Sequence, residues 1–483
     1  MSNRRFLTVA ILWGTALRLL VWQIQRGTFA VPEVLSTLEL VTYRLKGIGV
    51  PLVDPHLTST ALTMMYAAIV MWLEQLGLVG WQIQRVVSLH NALLSVLVIP
   101  AIYRTYATLS KSDPADTIGG RLVVYLAVLY PTLLYFAPHL YVVAPALVAL
   151  AWTYALGVPL FGSTSFTAKN ALKFGLMAGL TLVLDVYTLP WIAVLLIAAL
   201  FSTRWYYTLL SIAVGVCTVT LFKLGESSAG LHVPVLPVSM TVEVAHTFHS
   251  IAANLKQSLH WWWVYTGVSG MLMLFVSMAS VKRDVLRIQA LALVPLAFAT
   301  TEVTLDRTLY SFLMLACGAC LNIENYVANL KSNESITQRK RVAVGGFCAV
   351  LALNLLLIWQ KDWQSHNGGM FPAQRYVARF SDVRGVIAGT SVRDTGGYTM
   401  FDKSVPLARE ANWELMHHRL FNYMIVRDDS AEASRSMEAG FTPIRAFRNY
   451  LVFKRMPPAQ QSVASNAPDS TQPHHPDLEK PSL

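Results

Sequence analysis

Residues 342–360 read VAVGGFCAVLALNLLLIWQ, and residues 361–364, which follow them, read KDWQ. The first run is apolar for long enough to cross a bilayer, which takes about 17–25 helical residues. The second is where that character stops. Toward the N-terminus lie ten further apolar segments, at approximately 6–23, 87–104, 121–138, 141–157, 171–187, 189–203, 206–222, 260–281, 286–301 and 308–326. Eleven spans is an odd number. With the N-terminus inside, everything after Gln360 is expected outside, together with the long loops 24–86 and 223–260. Segment 58–78 is also apolar. A full crossing there would carry the basic loop 104–121 outside, against the rule that positive loops stay in the cytoplasm. It is therefore read as a helix lying in, or dipping into, the outer leaflet.

Composition supports a polytopic α-helical membrane protein. Of 483 residues, 54% are hydrophobic and 13% charged, against about 25% charged in a soluble protein. The net charge of +11 does not point to nucleic acid. Fifteen Lys and Arg fall in loops and helix ends assigned to the cytoplasm, and seven in the outer loops before Gln360. That asymmetry orients helices. The four cysteines, Cys217, Cys317, Cys320 and Cys348, all fall in expected helices, so neither a disulfide framework nor a zinc site is indicated. Cys317 and Cys320 read as small packing residues. Arg4 and Arg5 before an apolar run resemble a signal peptide, but Trp22, Gln23, Gln25 and Arg26 follow instead of a small-residue cleavage site. An uncleaved first span is expected.

After Gln360 the character changes. Residues 361–456 carry 24 charged residues in 96, normal for a soluble fold. Strands are expected over 385–392 and 421–426, a helix over 431–438 ended by Gly440, and a closing hairpin over 444–447 and 450–454. This makes a small extracytoplasmic α/β domain over 361–456. From Pro457 the chain is rich in Pro, Ser, Gln and His, and 457–483 is expected to be a disordered tail. The sequon Asn333-Glu334-Ser335 falls in an expected cytoplasmic loop, and the chain ends without an endoplasmic-reticulum retrieval signal. Both favour a bacterial inner membrane.

Acidic residues before Gln360 are few. Asp185 and Glu324 lie in or near helix ends, where a charge is costly unless paired or functional. On the outer side stand Glu33, Glu39, Asp54, Glu226, Glu243, Glu302 and Asp306. His260, Trp261, Trp262 and Trp263 close the second long loop. They form either an interfacial aromatic belt or a platform for a sugar or isoprenoid chain. Long outer loops and an outer module suit work on a lipid-linked substrate at the membrane surface. Sugar transfer to a hydroxyl needs a carboxylate to take the proton and cationic groups to hold a leaving phosphate. Glu33 and Arg307 satisfy that placement.

The stretch Arg18-Leu19-Leu20-Val21-Trp22, then Gly27-Thr28-Phe29-Ala30-Val31-Pro32-Glu33-Val34, Leu38-Glu39 and Gly47-Ile48-Gly49-Val50 resembles the first outer loop of GT-C membrane glycosyltransferases. It is most similar to the mannosyltransferases of glycosyltransferase family 22, whose loop reads T-F-H-P-D-E-x-x-Q-x-x-E. His260-Trp261-Trp262-Trp263 is similar to that family's P-W-H-W-Y, and Leu305-Asp306-Arg307-Thr308-Leu309-Tyr310 to its H-K-E-x-R-F-L-Y. Thr395-Gly396-Gly397-Tyr398 and Val405-Pro406-Leu407 resemble the C-terminal domain of bacterial members. The resemblance implies a GT-C-like fold and transfer of a hexose, mannose-like, from a polyprenyl-phosphate donor to a glycan, lipid or protein acceptor, without metal or cofactor. It implies Arg307 on the donor phosphate, and His260, Trp261, Trp262, Glu39 and Asp306 around the substrates.

One departure bears on the chemistry. In the register that aligns Glu33 with the family's Glu, Pro32 stands where the family has its catalytic Asp, and proline accepts no proton. Val303, Thr304 and Leu305 replace the His, Lys and Glu of the second motif. Two readings stay open. Either Glu33 or Asp54 serves as base, or the chain keeps the fold without the reaction and acts as a lipid-linked-glycan binding or assembly subunit. A lipid or solute transporter is a third class, but the internal repeats and matched Gly/Pro-broken helices of such proteins are not evident.

Overall fold

The computed structural model describes residues 3–25, 60–78, 80–130, 133–134, 137, 143–161, 166–201, 205–228, 256, 259–260, 262–263, 270–277, 305–328, 345, 348, 352, 370–388, 405–408, 413–447 and 450–455. Two compact units emerge, Met1–Phe371 with Arg393–Ser404, and Pro372–Val392 with Val405–Leu483.

The first unit is helical: α1 (Asn3–Gln25), α2 (Thr60–Gln75), α3 (Gly80–Ser95), α4 (Val98–Ser110), α5 (Ile118–Leu129), α6 (Val143–Gly157), α7 (Ala168–Leu184), α8 (Leu189–Leu200), α9 (Trp205–Ser228) and α10 (Leu305–Ala328). Among the described residues four stretches are long and apolar enough to cross a membrane: Asn3–Gln23, Gln82–Ser110, Trp205–Gly225 and Leu309–Ala328. Their outward faces are apolar. Trp13 and Leu12 on α1 are 62% and 63% exposed, and Leu221 on α9 is 69% exposed. Apolar exposure on this scale marks a surface that meets lipid.

Two expected spans are reshaped by proline. The span 87–104 is two helices, α3 and α4, joined at Val96 and Leu97. Pro100 has no N–H for the Val96 carbonyl, and the Ile99 amide takes that carbonyl instead at 3.0 Å. The span 121–138 stops as a continuous helix at Leu129, because Pro131 disfavours helical backbone before it; Tyr130 is extended, with φ −60° and ψ 119°. Within segment 58–78, Thr60–Gln75 form α2. The spans 286–301 and 342–360 lie outside the described residues apart from Gly345, Cys348 and Ala352.

The helices pack closely where the sequence is small. Gly175 and Gly179 on α7 face Gly215 on α9. A Cβ at Gly175 would lie 2.4 Å from the Ser211 carbonyl oxygen, and one at Gly179 would lie 2.8 Å from that of Gly215. Small residues at such a seam let backbones approach, and the Ser211 hydroxyl donates across it to the Ala171 carbonyl at 3.0 Å. Cys317 and Cys320 are buried in the same core.

The second unit carries a five-stranded sheet in the order β2-β1-β3-β5-β4, with β1 Val386–Ala388, β2 Leu407–Ala408, β3 Tyr423–Arg427, β4 Phe441–Phe447 and β5 Tyr450–Arg455. β2, β1 and β3 run parallel, while β3, β5 and β4 alternate. β3 is central, and Tyr423–Val426 are all buried. β4 is an edge with a bulge between Pro443 and Arg445, the position in a sheet where a residue without N–H is tolerated. Ile387, Met424, Val426, Phe441 and Phe453 form the core with Met416 and Ala433. Helices α11 (Met370–Ala378), α12 (Trp413–His417) and α13 (Ala431–Glu438) complete it. Gly440 follows α13 with φ +82°, the left-handed cap expected there. Residues 389–392 of the expected first strand, and the tail 457–483, lie outside the described residues.

Candidate functional site

Contacts within the first unit fix which helix ends share a face. At one end, the Asn3 amide of α1 donates to Asp113, which also accepts from Tyr103 at 2.5 Å. Nearby in the chain, Glu324 near the end of α10 accepts from the Gly119 amide at 2.8 Å, capping α5. So α1 starts, and α10 finishes, at that end. A helix of this length runs about 35 Å. The last turn of α1 and the first turn of α10 therefore both lie at the opposite end of the helical unit.

At that end the exit of α1 is tied down. The Trp22 indole donates to the Arg85 carbonyl at 3.1 Å and to Ser88 Oγ at 3.0 Å. The Arg85 guanidinium lies 4.8 Å from the Trp22 ring centre and donates to Gln23 Oε1 at 2.7 Å. Tyr66 on α2 donates to Asn91 on α3 at 2.8 Å. Deeper in α1, Arg18 is fully buried. It donates through Nε to Ser95 Oγ at 2.8 Å, and through its terminal nitrogens to the Gly14 and Ala127 carbonyls at 3.2 and 3.0 Å. All three acceptors are neutral oxygens, which hold the charge where water is excluded.

The start of α10 is held by the α7–α8 corner. Asp185 ends α7, and Pro190 sits in the first turn of α8, where a missing N–H costs nothing. Asp185 Oδ1 accepts from the Tyr187 amide at 2.9 Å, and Oδ2 from the Tyr310 hydroxyl at 2.6 Å. Trp191 donates to Ser311 Oγ at 3.0 Å, and its ring meets that of Tyr310 edge-on at 5.5 Å. The charge that looked costly in the sequence is thus bonded and buried. It fixes the turn of α10 immediately after Arg307.

Of the sequence candidates, Arg307 and Asp306 fall in the first turn of α10. His260 is exposed and Trp262 is buried in the helical core. Glu33, Glu39, Asp54 and Trp261 lie outside the described residues. Among the described residues no group of three or more His, Cys, Asp or Glu is arranged to hold a metal. The sequence reading missed Arg85 and the Tyr310 partner of Asp185. It quoted Arg18 only within a motif, although a lone arginine in an apolar helix is itself a signal.

No protein-family model matches the sequence, and comparison with curated proteins gives no match. Solved structures do match. ArnT from Cupriavidus metallidurans, determined bound to undecaprenyl phosphate, has TM-score 0.57 and 11% identity over 92% of this chain and 98% of that one. The Archaeoglobus fulgidus oligosaccharyltransferase in complex with zinc and sulfate has TM-score 0.51 and 11% identity, over 88% of this chain and 68% of that one. The archaeal oligosaccharyltransferase AglB from the same organism, in complex with an inhibitory peptide and a dolichol-phosphate, has TM-score 0.50 and 11% identity over 94% and 74%. At such identity the likeness is one of fold. The chain is an integral membrane protein with the GT-C-like fold of these glycosyltransferases.

Proposed function

We propose that this protein is a membrane glycosyltransferase that moves a hexose, mannose-like by its family-22 resemblance, from a polyprenyl-phosphate donor to an extracytoplasmic glycan, lipid or protein acceptor. The observation that carries this reading is the placement of the α1 exit and the α10 start at the same end of the helical unit, in a fold shared with a structure that holds undecaprenyl phosphate. The first leads into the loop with Glu33 and Asp54. The second carries Arg307.

In this reading the acceptor hydroxyl oxygen attacks the sugar C1 and the bond from C1 to the phosphate oxygen breaks. Glu33, with Asp54 as the other candidate, takes the hydroxyl proton. Arg307 offsets the charge on the departing polyprenyl phosphate. Asp185 and Tyr310 act as positioning residues, because they hold the turn after Arg307. His260, Trp261, Glu39 and Asp306 are assigned to the substrate surroundings; Trp262, buried in the helical core, is not. The reaction face and the C-terminal domain are assigned to the periplasmic side of a bacterial inner membrane.

Donor-dependent transfer in membranes tests this. Wild type should transfer sugar, and Glu33→Gln should lose turnover while keeping expression and donor binding. Full activity of Glu33→Gln would move the role to Asp54. A second reading, a non-catalytic glycan-binding relative, is favoured by Pro32 at the family's aspartate position. Wild type inert toward every polyprenyl-phosphate sugar would select it.

A further inference from the structure

The second unit has an open concavity of about 520 Å³ at one end of its sheet. Parallel pairing of β1 with β3, and antiparallel pairing of β3 with β5, bring the loop before β1, the residue before β3 and the end of β5 together there. Asn422, 3% exposed, builds the floor. Its Oδ1 accepts from the Arg384 and Gly385 amides at 2.8 and 3.3 Å, and its Nδ2 donates to the Asp382 carbonyl at 2.8 Å. Its own carbonyl accepts from the Arg455 amide at 2.9 Å.

The charges around this floor do not balance. Arg384, Lys454 and Arg455 face a single carboxylate, Asp382. Lys454 already pairs with Asp382 at 2.8 Å, which leaves two guanidinium charges without a counter-charge among the described residues. Arg455 bonds only neutral groups. Its terminal nitrogens donate to the His418 carbonyl at 3.2 Å and to the Met416 carbonyl, and its plane lies 4.5 Å from the Phe441 ring centre. Its buried Nε–H has no hydrogen-bond partner among the described residues. Burial, and then the like charge of Arg384, hold Arg455 below its ordinary value. The Arg384 side chain is exposed, and no side-chain partner constrains it among the described residues. Two like charges held side by side around an open pocket are relieved by an anion, and guanidinium groups match phosphate and carboxylate oxygens. The volume exceeds what a bare oxyanion needs and falls within the small-ligand range of about 300–1,000 Å³.

We propose that this pocket binds a small organic oxyanion, a carboxylate or phosphate ester larger than the bare ion, with Arg384 as its principal ionic contact; charged sugars serve as probes of that class. The site stands independently of sugar transfer by the membrane unit. Its test is a ligand-detected NMR titration of the full chain in phosphatidylcholine nanodiscs, using D-glucuronate, D-glucose 1-phosphate, D-glucose and inorganic phosphate. Saturable binding is expected for at least one of the two charged sugars, weakening as salt rises, with the tighter one naming the oxyanion. Arg384→Glu should weaken it at least tenfold, and Arg384→Lys by less. Glu33→Gln should leave it unchanged, so loss of transfer and loss of this site are read separately. Because Arg384 is exposed, its variants should keep the β-sheet amide protection of wild type. Absence of saturable binding, equal binding of D-glucose, or no effect of Arg384→Glu would overturn the site. Inorganic phosphate bound as tightly as glucose 1-phosphate would overturn its assignment to an organic anion.

Discussion

At the scale of single residues, the charges that the fold removes from water are the informative ones. Tyr310→Phe deletes a hydrogen bond to the buried Asp185 carboxylate, and bonds to charged groups contribute about 1.5–3 kcal/mol. Ser311→Ala deletes a neutral bond from Trp191, worth about 0.5–1.5 kcal/mol. The thermal midpoint in detergent should fall further for Tyr310→Phe; equal shifts would mean that the carboxylate is not what anchors α10. In the second unit burial raises Asp382, but the Lys454 ammonium and Tyr423 hydroxyl outweigh it and hold the carboxyl below its ordinary value. Asp382 and Tyr423 raise Lys454. A carboxylate depressed on folding stabilises above its unfolded value, about 3.9, and loses that contribution as pH falls through the lower folded value. The raised Lys454 contributes below about 10.4 and loses its contribution as pH rises through its folded value. Asp382 is half exposed, so the pair contributes less than about 1 kcal/mol. Asp382→Asn should flatten the acid limb of amide-exchange protection in β3 and β5 by no more than that. Asp185 was legible as a charge in an apolar segment. Its partner was not, because a tyrosine in a helix carries no sign of where its hydroxyl goes.

At the scale of elements, the seam between α7 and α9 gives a ranked expectation. Gly175→Ala drives a methyl to 2.4 Å from a backbone oxygen, whereas the nearest atom to a methyl at Gly215 is at 3.3 Å. Overpacking costs about 1–3 kcal/mol. Gly175→Ala should therefore lower the detergent unfolding midpoint clearly, and Gly215→Ala much less; the reverse order would mean that the helices separate freely there. Apolar runs made most of these helices readable in advance. The break at Val96–Leu97 was missed because the run stays apolar through it, and only the absent N–H of Pro100 marks the place. β2 has two residues and α12 five, too short for any periodicity to accumulate. Gly440 was readable because its left-handed backbone admits few other residues.

At the scale of the whole molecule, the fold was readable and the substrates were not, for one physical reason. A span needs only sustained apolarity, which survives at 11% identity, while a sugar is chosen by a few polar contacts. Proline at the aspartate position that the resemblance implies is a change of one residue, which no apolar run records. The odd span count and charge asymmetry predict that a reporter fused after Met456 is active only outside the cytoplasm. Cytoplasmic activity would take Glu33 and Arg307 away from the proposed reaction face. Arg18 has a consequence in time as well as in space. Its Ser95 and Ala127 acceptors lie 77 and 109 residues further along the chain, so α1 leaves the ribosome long before they exist. An arginine at a helix centre costs about 2.5–3.5 kcal/mol to insert. Until α3 and α5 are made, α1 carries that arginine without the Ser95 and Ala127 oxygens that later hold it.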